Sequence, residues 1–458
     1  MKRLFFVLFL LVTTASSAQV VLNEVCPGNA DIVYDPDFFN FSSWVELTNT
    51  SSSSVNIGGF YLSDDQNNPL KWRVPANTTI PANGFIIFWC DSENTGRHTN
   101  FTLDSDGEDV VVSNSQGQLM DKITYPKQFT NIAYGRTTNG IGSWAYLSVP
   151  TPGTGNNALS ASQQLAKPKF SVTGGRYSGT IQLSFTHGKA GAEIRYTTDG
   201  SEPVASSPLF TSPIPLSQTI TIKAKAFLAG FLPGETETQT YFINEHVFSL
   251  PVISISMRPE YLYDNTIGIY VEGTNGVPGY CNGNAVNWNQ DWDRHAVFEY
   301  YDKDGNRLFN QSVDVRIGGN CSRNQPQKAF AIKARDKYGS NIMNYKFFDN
   351  KSINQFGALM LRNSGNDFNV TMFRDAFMQF LPVGQMDVDY MDYQPTILYL
   401  NGQYMGIQNL REKIDADFFE SNYNVDKDNL DLIETWDENA LEGSAAGYVN
   451  YKNTLAGM

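Results

Sequence analysis

The feature that most constrains this chain is a succession of short runs that alternate apolar and polar residues, each closed by turn-forming residues. In the first third the runs read VVLNEV, SWVELTNT, FYLSDD, GFIIFWC, DVVVSN and QLMDKITY, and the turns between them include SSSSVNIGG, PANG and NSQGQ. A period of two is typical of a half-buried strand, and no helical period competes with it here. The spacing therefore predicts an all-β sandwich over residues 19–158.

A second β-rich block follows a short polar segment. Residues 159–169 lie in NNALSASQQLAKPK, whose small and polar residues, with one proline near the end, indicate a linker. Residues 170–244 again alternate with a period of two, in GTIQLSFT, AEIRYTTDGSEP and TITIKAKAFL. The dipeptide Asp199-Gly200 is a hairpin-turn signal. This pattern predicts a second β-sandwich module.

The last block, residues 245–458, mixes strands with helix. SLPVISISM and KAFAIKAR indicate strands, and RHAVFEYYDKDGNRLFNQSVDVRIGG indicates two strands around a turn. TMFRDAFMQFL, residues 371–381, places five apolar side chains on one helical face, so we expect a helix that faces the core. Those side chains are Met372, Phe373, Ala376, Phe377 and Phe380. The block is predicted to be an α+β domain.

The N-terminus has the three parts of a signal peptide. Lys2 and Arg3 precede an apolar run, and Ser16 and Ala18 supply the small residues of a cleavage site after Ala18. The run is too short for the ~30 Å hydrocarbon core of a bilayer. We therefore expect residues 1–18 to be removed, and the mature chain to be secreted or on the cell surface without a membrane span.

The net charge and the cysteine content of the chain limit the classes of binding partner and metal site that we expect. The formal net charge of −14 disfavours nucleic acid and anionic membranes, which both select a basic surface. Four cysteines in an oxidising compartment allow two disulfides in three connectivities, and their wide spacing argues against a zinc site. The disulfide candidates are Cys26, Cys90, Cys281 and Cys321.

Two resemblances concern the β-sandwiches. The segments LNEV, WVELTN, GGFYLSDD, KWRVP and LDSDGEDVVVSN together resemble the lamin-tail family of immunoglobulin-like domains. IRYTTDGSEP (194–203) and ITIKAKAF (220–227) resemble the fibronectin-III-like domain at the C-terminus of chitobiases and β-hexosaminidases. Both resemblances imply accessory modules for binding or spacing, and a carbohydrate partner is one role open to the second.

A third resemblance covers the last block. RIGGNCSRNQPQKAFAIKAR (316–335), LMLRNSGNDFNVTMFRDAF (359–377) and LYLNGQYMGIQNLREKID (398–415) occur in the order typical of the CotH family, the spore-coat-protein-H type of secreted atypical kinase. The resemblance implies phosphorylation of extracellular proteins with ATP and Mg²⁺ as cofactors. Phosphoryl transfer needs cations around the phosphates, so charged residues in these segments are the candidates.

The resemblance implies a nucleotide-binding set within these segments. Lys328 matches the family's strand lysine and would contact phosphate, and Glu412 would order that lysine, as in the Lys–Glu pair of kinases. The full inferred set is Lys328, Glu412, Arg323, Arg411, Asp415 and Asn366. Lys333 lies an odd number of residues from Lys328, so the two face opposite sides of a strand, and we interpret Lys333 as a solvated lysine.

Two alternatives to this site remain open. Arg411, Glu412, Lys413 and Asp415 could instead cap the following helix, because acidic residues favour a helix N-terminus. The family also places its catalytic and metal-binding aspartates further downstream, in a tract that does not occur before Met458. We therefore expect a C-terminally incomplete or degenerate kinase-like domain, identify no catalytic residue in the chain and leave metal ligands unassigned. The rival interpretation is a non-catalytic surface scaffold that binds polymer or protein partners.

Overall fold

The computed structural model describes residues 19–156, 161–281, 283–434 and 438–457. The predicted signal peptide, residues 1–18, lies outside the described residues, as does the start of the predicted linker. Strands make up 37% and helices 11% of the chain, which confirms the predicted class of β-sandwich modules followed by a mixed domain. Within the described ranges, no helix is long and apolar enough to cross a membrane.

The first module is a sandwich of two antiparallel sheets, ordered β11-β10-β1-β2-β7 and β5-β4-β8-β9, with a separate β3–β6 pair. Val25, Val45 and Phe88 of one sheet share a buried core with Leu62 and Val110 of the other. The strands are β1 Val20–Cys26, β2 Ser43–Asn49, β3 Val55–Asn56, β4 Tyr61–Ser63, β5 Trp72–Arg73, β6 Thr79–Ile80, β7 Phe85–Cys90, β8 Asp109–Ser113, β9 Leu119–Thr124, β10 Ala133–Arg136 and β11 Trp144–Leu147.

The second module is built on the sheet β13-β19-β18-β16, with the pairs β12–β15 and β14–β17 beside it. Ile222 and Tyr241 of the sheet pack with Leu183, Phe185 and Leu216 of the two pairs. The strands are β12 Lys169–Phe170, β13 Gly175–Tyr177, β14 Ile181–Leu183, β15 Phe185–Thr186, β16 Glu193–Thr197, β17 Ile214–Leu216, β18 Ile220–Phe227 and β19 Glu237–Ile243.

The third unit is a closed barrel in the order β20-β23-β24-β25-β28-β30-β29. Its strands are β20 Val252–Met257, β23 Arg294–Tyr301, β24 Arg307–Gly318, β25 Ala329–Lys333, β28 Ala358–Arg362, β29 Tyr393–Leu400 and β30 Gln403–Glu412. Around it lie β21 Val277–Pro278, β22 Ala285–Val286, β26 Met343–Asn344, β27 Gln355–Phe356, β31 Leu432–Glu434 and β32 Asn439–Glu442. The helices are α1 Pro259–Tyr263, α2 Arg374–Phe380, α3 Ala416–Tyr423 and α4 Ala446–Ala456. Apolar side chains from alternate strand positions fill the barrel.

The predicted core-facing helix is wrong in its orientation. It forms as α2, but only Ala376 of the five predicted side chains is buried, while Phe373, Phe377 and Phe380 are 48%, 49% and 55% exposed. The barrel interior is already filled by strand side chains, so α2 lies outside it. Its charged side is the one held to the barrel, because Asp375 of α2 contacts Arg411 of β30 at 2.7 Å.

One of the two disulfides that the sequence allowed is present. Cys281 and Cys321 are bonded, whereas Cys26 and Cys90 are free and buried. The reason is the sheet order, since β2 lies between β1, which ends at Cys26, and β7, which ends at Cys90. Two strand spacings are about 10 Å, beyond the Cα–Cα distance that a disulfide spans.

Candidate functional site

The barrel separates the two residues on which the predicted nucleotide site was centred. Lys328 directly precedes β25, and Glu412 ends β30, with β28 between the two strands. In the register, Ile332 pairs with Leu359, which in turn pairs with Glu412. Lys328 and Glu412 are therefore offset by about 13 Å along the strands and by roughly 10 Å across them. The predicted Lys328–Glu412 pair is not formed, because the apolar barrel core lies between them.

Lys328 lies at one open end, or mouth, of the barrel, and Glu412 lies at the other. Other groups of the protein bind the ammonium of Lys328. Its Nζ donates to the carbonyl oxygens of Arg323 at 2.8 Å and Gln325 at 3.4 Å. The same ammonium lies 3.6 Å from the ring centroid of Trp288. Burial lowers the pKa of Lys328 to about 8, because an ammonium loses solvation there. These contacts give Lys328 a structural role in closing the loop before β25.

Two more predicted residues lie at the Lys328 mouth. The guanidinium of Arg323 donates to the carbonyl oxygen of Gly319 at 2.6 Å and pairs with Asp291 at 3.0 Å. Asn366 is exposed in a short 3-10 turn, Gly365–Asp367. Arg323 therefore holds its own loop, and Asn366 alone of this group presents a solvent-facing side chain.

Glu412 has a different lysine partner at the opposite mouth. Its Oε2 pairs with Nζ of Lys351 at 3.0 Å and accepts the N–H of Asp392 at 2.9 Å. Its Oε1 accepts from Asn422 of α3 at 2.9 Å. Glu412 is 2% exposed, so this is a buried, fully hydrogen-bonded ion pair. Sequence reasoning missed Lys351, because it lies in the irregular segment between β26 and β27.

The residues that flank Glu412 have structural contacts. Arg411 is 1% exposed, and burial lowers its pKa while Asp375 of α2 pairs with it. Asp415 is the N-cap of α3, since its carboxylate accepts the N–H of Phe418 at 3.2 Å. The helix-cap alternative thus describes Asp415, while Arg411 and Glu412 hold other elements to the barrel. The roles of these residues in nucleotide binding stay predictions.

Lys333 brings an accessible cation to the mouth that contains Glu412. It ends β25 on the outward face, opposite in direction to Lys328, and its side chain is 41% exposed. Nζ of Lys333 lies 3.4 Å from Asp417, and Lys427 pairs with the same carboxylate at 3.0 Å. Burial opposes ionisation of Asp417, yet the two ammonium groups hold its pKa below the usual value. Lys427 also pairs with Glu420 at 2.9 Å, so the two lysines face two carboxylates, and an anionic ligand would have to bind beside these ion pairs.

Comparisons with known families assign the three units in chain order. Residues 13–127 match the Lamin Tail Domain, residues 172–238 the Chitobiase/beta-hexosaminidase C-terminal domain and residues 315–454 the CotH kinase protein family. The chain is thus a multidomain protein in which β-sandwich modules precede a CotH-like domain. Every residue of both barrel mouths discussed above, apart from Trp288 and Asp291, lies within the CotH match.

Comparisons with curated proteins and with solved structures give no further information on the fold or function of the chain. No curated protein matches the chain significantly. Among solved structures, a crystal structure of Drosophila N-cadherin EC1-3 aligns with 10% identity over 57% of this chain and 88% of that chain, at a TM-score of 0.12. A score this low carries no argument about fold or function.

Proposed function

We propose that this protein is an exported atypical kinase that phosphorylates extracellular proteins with ATP. The observation that carries the proposal is the pair of partly exposed lysines, Lys333 and Lys427, at the barrel mouth that contains Glu412, within the segment that matches the CotH kinase family. Bound phosphates need such cations. The assignment of the phosphate-contacting lysine moves from Lys328 to Lys333, since Lys328 is buried and bound by carbonyl groups, whereas the side chain of Lys333 is 41% exposed.

The remaining residues of this mouth would position the phosphate-binding lysines. The buried Lys351–Glu412 pair ties the segment before β27 to the end of β30, and Asn422 ties both to α3. Asp417 of α3 would orient Lys333. The implied Mg²⁺ has no matching donor set in the described ranges, where no group of three or more His, Cys, Asp or Glu side chains could hold a metal. We therefore derive no step through a metal ion.

Calorimetric titration of the full chain with ATP and Mg²⁺ tests the proposal. We expect Lys333→Ala to weaken binding by about tenfold or more, because a hydrogen bond to a charged group contributes about 1.5–3 kcal/mol. Lys303→Ala is the matched control, since Lys303 is a solvated hairpin lysine with a side chain 67% exposed. Lys328→Met should leave ATP affinity unchanged. ATP affinity that falls with Lys328→Met but not with Lys333→Ala would restore the original assignment.

A non-catalytic scaffold is the second candidate. It is favoured by the contacts of Lys328 and Glu412, which are both satisfied by protein groups and need no ligand. A folded full chain that releases no heat with ATP would support it over the kinase. Export is tested separately, because a mature N-terminus at Gln19 in the culture supernatant is expected by mass spectrometry, and an intact N-terminus inside cells would contradict it.

A further inference from the structure

The apolar face of α2 points away from the barrel. Phe373, Phe377, Phe380 and Leu381 recur at the spacing i, i+4, i+7 and i+8, which places them on one face of the helix. All four residues are between 45% and 55% exposed. The apolar face of a helix in a globular protein normally meets a core, so this exposed face calls for a partner.

The segment after α2 extends this apolar surface. The N–H of Met386 donates to the carbonyl oxygen of Pro382 at 2.9 Å, so the chain turns directly after the helix. The N–H of Met391 donates to the side chain of Gln379 at 3.0 Å, so the chain then returns to α2. Met386 and Val388 of this segment are 66% and 46% exposed. The α2 patch, as we define it, consists of Phe373, Phe377, Phe380, Leu381, Met386 and Val388.

Polar contacts fix the outward orientation of this face. Asp375 and Gln379 lie one turn apart on the opposite side of α2, and Gln379 donates to Asp375 at 3.1 Å. Asp375 pairs with Arg411 of the barrel at 2.7 Å. Arg411 is 1% exposed, so turning the apolar face inward would leave a buried guanidinium without its carboxylate. The exposed apolar face is therefore part of the folded arrangement.

The α2 patch is large enough for a protein partner. A whole aromatic side chain buries about 150–250 Å², so the three half-exposed phenylalanines alone present on the order of 300 Å². The other three side chains bring the total to the upper end of the roughly 300–600 Å² of the largest patch on a typical monomer. Exposed apolar patches of this size mark interaction sites.

The charges at the edge of the patch are acidic where they are not already paired. Asp387 is exposed, and its carboxylate forms no hydrogen bond or ion pair with another described residue. Asp389 is also exposed and accepts from the hydroxyl of Tyr423. The cation on α2, Arg374, is paired with Asp367 at 3.3 Å. The charge available to a partner at this edge is therefore negative.

We propose that the α2 patch binds a basic amphipathic helix of a partner protein. The patch cannot add a strand, because the backbone N–H and carbonyl groups of α2 are hydrogen-bonded within the helix. A second helix instead buries such an apolar face by packing its side-chain ridges into the grooves of α2. Lysine or arginine beside the partner's apolar face would then meet Asp387 and Asp389. This surface does not depend on the proposed kinase activity.

The same charges disfavour two other occupants of the patch. A second copy of the chain would bring the same carboxylates and another net charge of −14 to the interface. Anionic lipid headgroups would be repelled by Asp387 and Asp389. A helix with cations beside an apolar face is complementary to both the apolar patch and its acidic edge.

Fluorescence anisotropy on the full chain tests the patch with two labelled peptides of about 18 residues, long enough to form a helix in isolation. Both peptides carry leucines at i, i+3, i+4 and i+7, and the remaining positions are lysine in one peptide and glutamate in the other. We expect the Leu/Lys peptide to bind with an affinity that falls as the salt concentration rises. The Leu/Glu peptide should not bind.

Substitutions on the patch separate specific docking from attraction to an acidic protein. Phe377→Ser removes the centre of the patch and should raise the Kd of the Leu/Lys peptide by about tenfold or more. Leu119→Ser is the matched control, because Leu119 is 58% exposed in the first module, and it should leave the Kd unchanged. Asp387→Asn should raise the Kd about two- to fivefold at low salt. Glu93→Gln, which alters an exposed carboxylate of the first module, should have no effect.

Three results with the peptides would overturn the proposal: no binding of the Leu/Lys peptide to the folded chain, equal binding of the Leu/Glu peptide, or a Kd that Phe377→Ser or Asp387→Asn leaves unchanged. Sedimentation velocity and co-sedimentation with phosphatidylserine vesicles test the other occupants. A dimer that Phe377→Ser abolishes would assign the patch to a second copy instead, and vesicle binding that Phe377→Ser abolishes would assign it to a membrane.

Discussion

At the scale of single residues, the free thiols of Cys26 and Cys90 lie in two separate buried apolar clusters of the first module. Both are at most 1% exposed. Burial raises the pKa of each thiol, so neither forms the thiolate that reacts with disulfides or alkylating reagents. Cys26 packs with Trp44 and Trp89 on one face of the sheet, and Cys90 belongs to the core on the other face.

A thiol count checks this distribution. We expect Ellman's reagent to detect no thiol in the native protein, two thiols after denaturation without reductant and four after denaturation with reduction, in keeping with one disulfide and two free cysteines. Cys281→Ser offers a control, since it should add one thiol to the non-reduced denatured count. A denatured count of zero would mean that all four cysteines are bridged.

Residue-level prediction succeeded where it depended on strand periodicity alone. An odd separation placed Lys328 and Lys333 on opposite faces of β25, as the structure has them. It did not reveal that β28 lies between β25 and β30, because strand order is a long-range property that alternation does not encode. Lys351 was missed for the same reason, since its contact with Glu412 joins residues far apart in the chain.

At the scale of elements, β1 and β2 place two carboxyl groups directly opposite each other inside the first module. Glu24 pairs with Glu46 in the register, and both side chains are fully buried. Burial raises the pKa of Glu24 to about 7 and that of Glu46 to about 8. Thr151 and Gly153 donate to these carboxyl groups, so the pair also fastens the segment after β11.

These raised pKa values make stability fall as pH rises. A carboxyl group whose pKa is higher in the folded state than in the unfolded state stabilises the fold at pH values below its unfolded pKa. This stabilisation is lost as pH rises through about 7 to 8. Glu24→Gln mimics the protonated form and keeps both contacts with Thr151. We expect urea denaturation to show the variant more stable than the native chain at pH 8, on the order of 2 kcal/mol, with little difference at pH 5.

The matched control for this pair is Glu93→Gln, which alters an exposed carboxylate in the same module. It should leave the pH dependence of unfolding unchanged. An equal stability difference between native chain and Glu24→Gln at both pH values would mean that Glu24 ionises in the folded state as it does in water.

Elements with a two-residue period were the most predictable part of the fold. VVLNEV, SLPVISISM and KAFAIKAR all contain strands, as expected. The helix at 371–381 shows the limit of the method. A helical period tells which side chains share a face, but not whether that face meets a core, and the barrel interior was already occupied by strand residues.

At the scale of the whole molecule, both β-sandwiches pack against the barrel. Asp31 of the first module contacts His295 of β23 at 2.8 Å and the hydroxyl of Tyr261 at 2.7 Å. Thr240 of the second module donates to Glu299 of β23 at 2.6 Å. One barrel strand thus contacts both modules. The linker-like composition of residues 159–169 did not predict that both modules pack against the barrel.

Asp31 joins the first module to the barrel unit through His295, Tyr261 and Arg258. Its side chain is 2% exposed, and although burial opposes ionisation, His295 and Arg258 hold the pKa of Asp31 below the usual value. Asp31→Asn would remove the charge that balances Arg258 while keeping the side-chain shape. Because Asp31 contacts His295, Tyr261 and Arg258 of the barrel unit together, we expect calorimetric melting to change from one transition to two, with the first module melting apart from the barrel.

The same carboxylate predicts an acid-sensitive interface. A depressed pKa stabilises the folded state above the unfolded value of the carboxyl group and loses that contribution as pH falls below it. Native protein should therefore begin to shift toward the two-transition melting of Asp31→Asn only as pH falls below about 4, and the shift should be complete only near the lower pKa of the folded state. Asp37→Asn is the control, because Asp37 pairs with His98 within the first module and is 58% exposed. Identical single transitions in native chain and Asp31→Asn would show that docking is held by the apolar contacts of Phe41 with the barrel core instead.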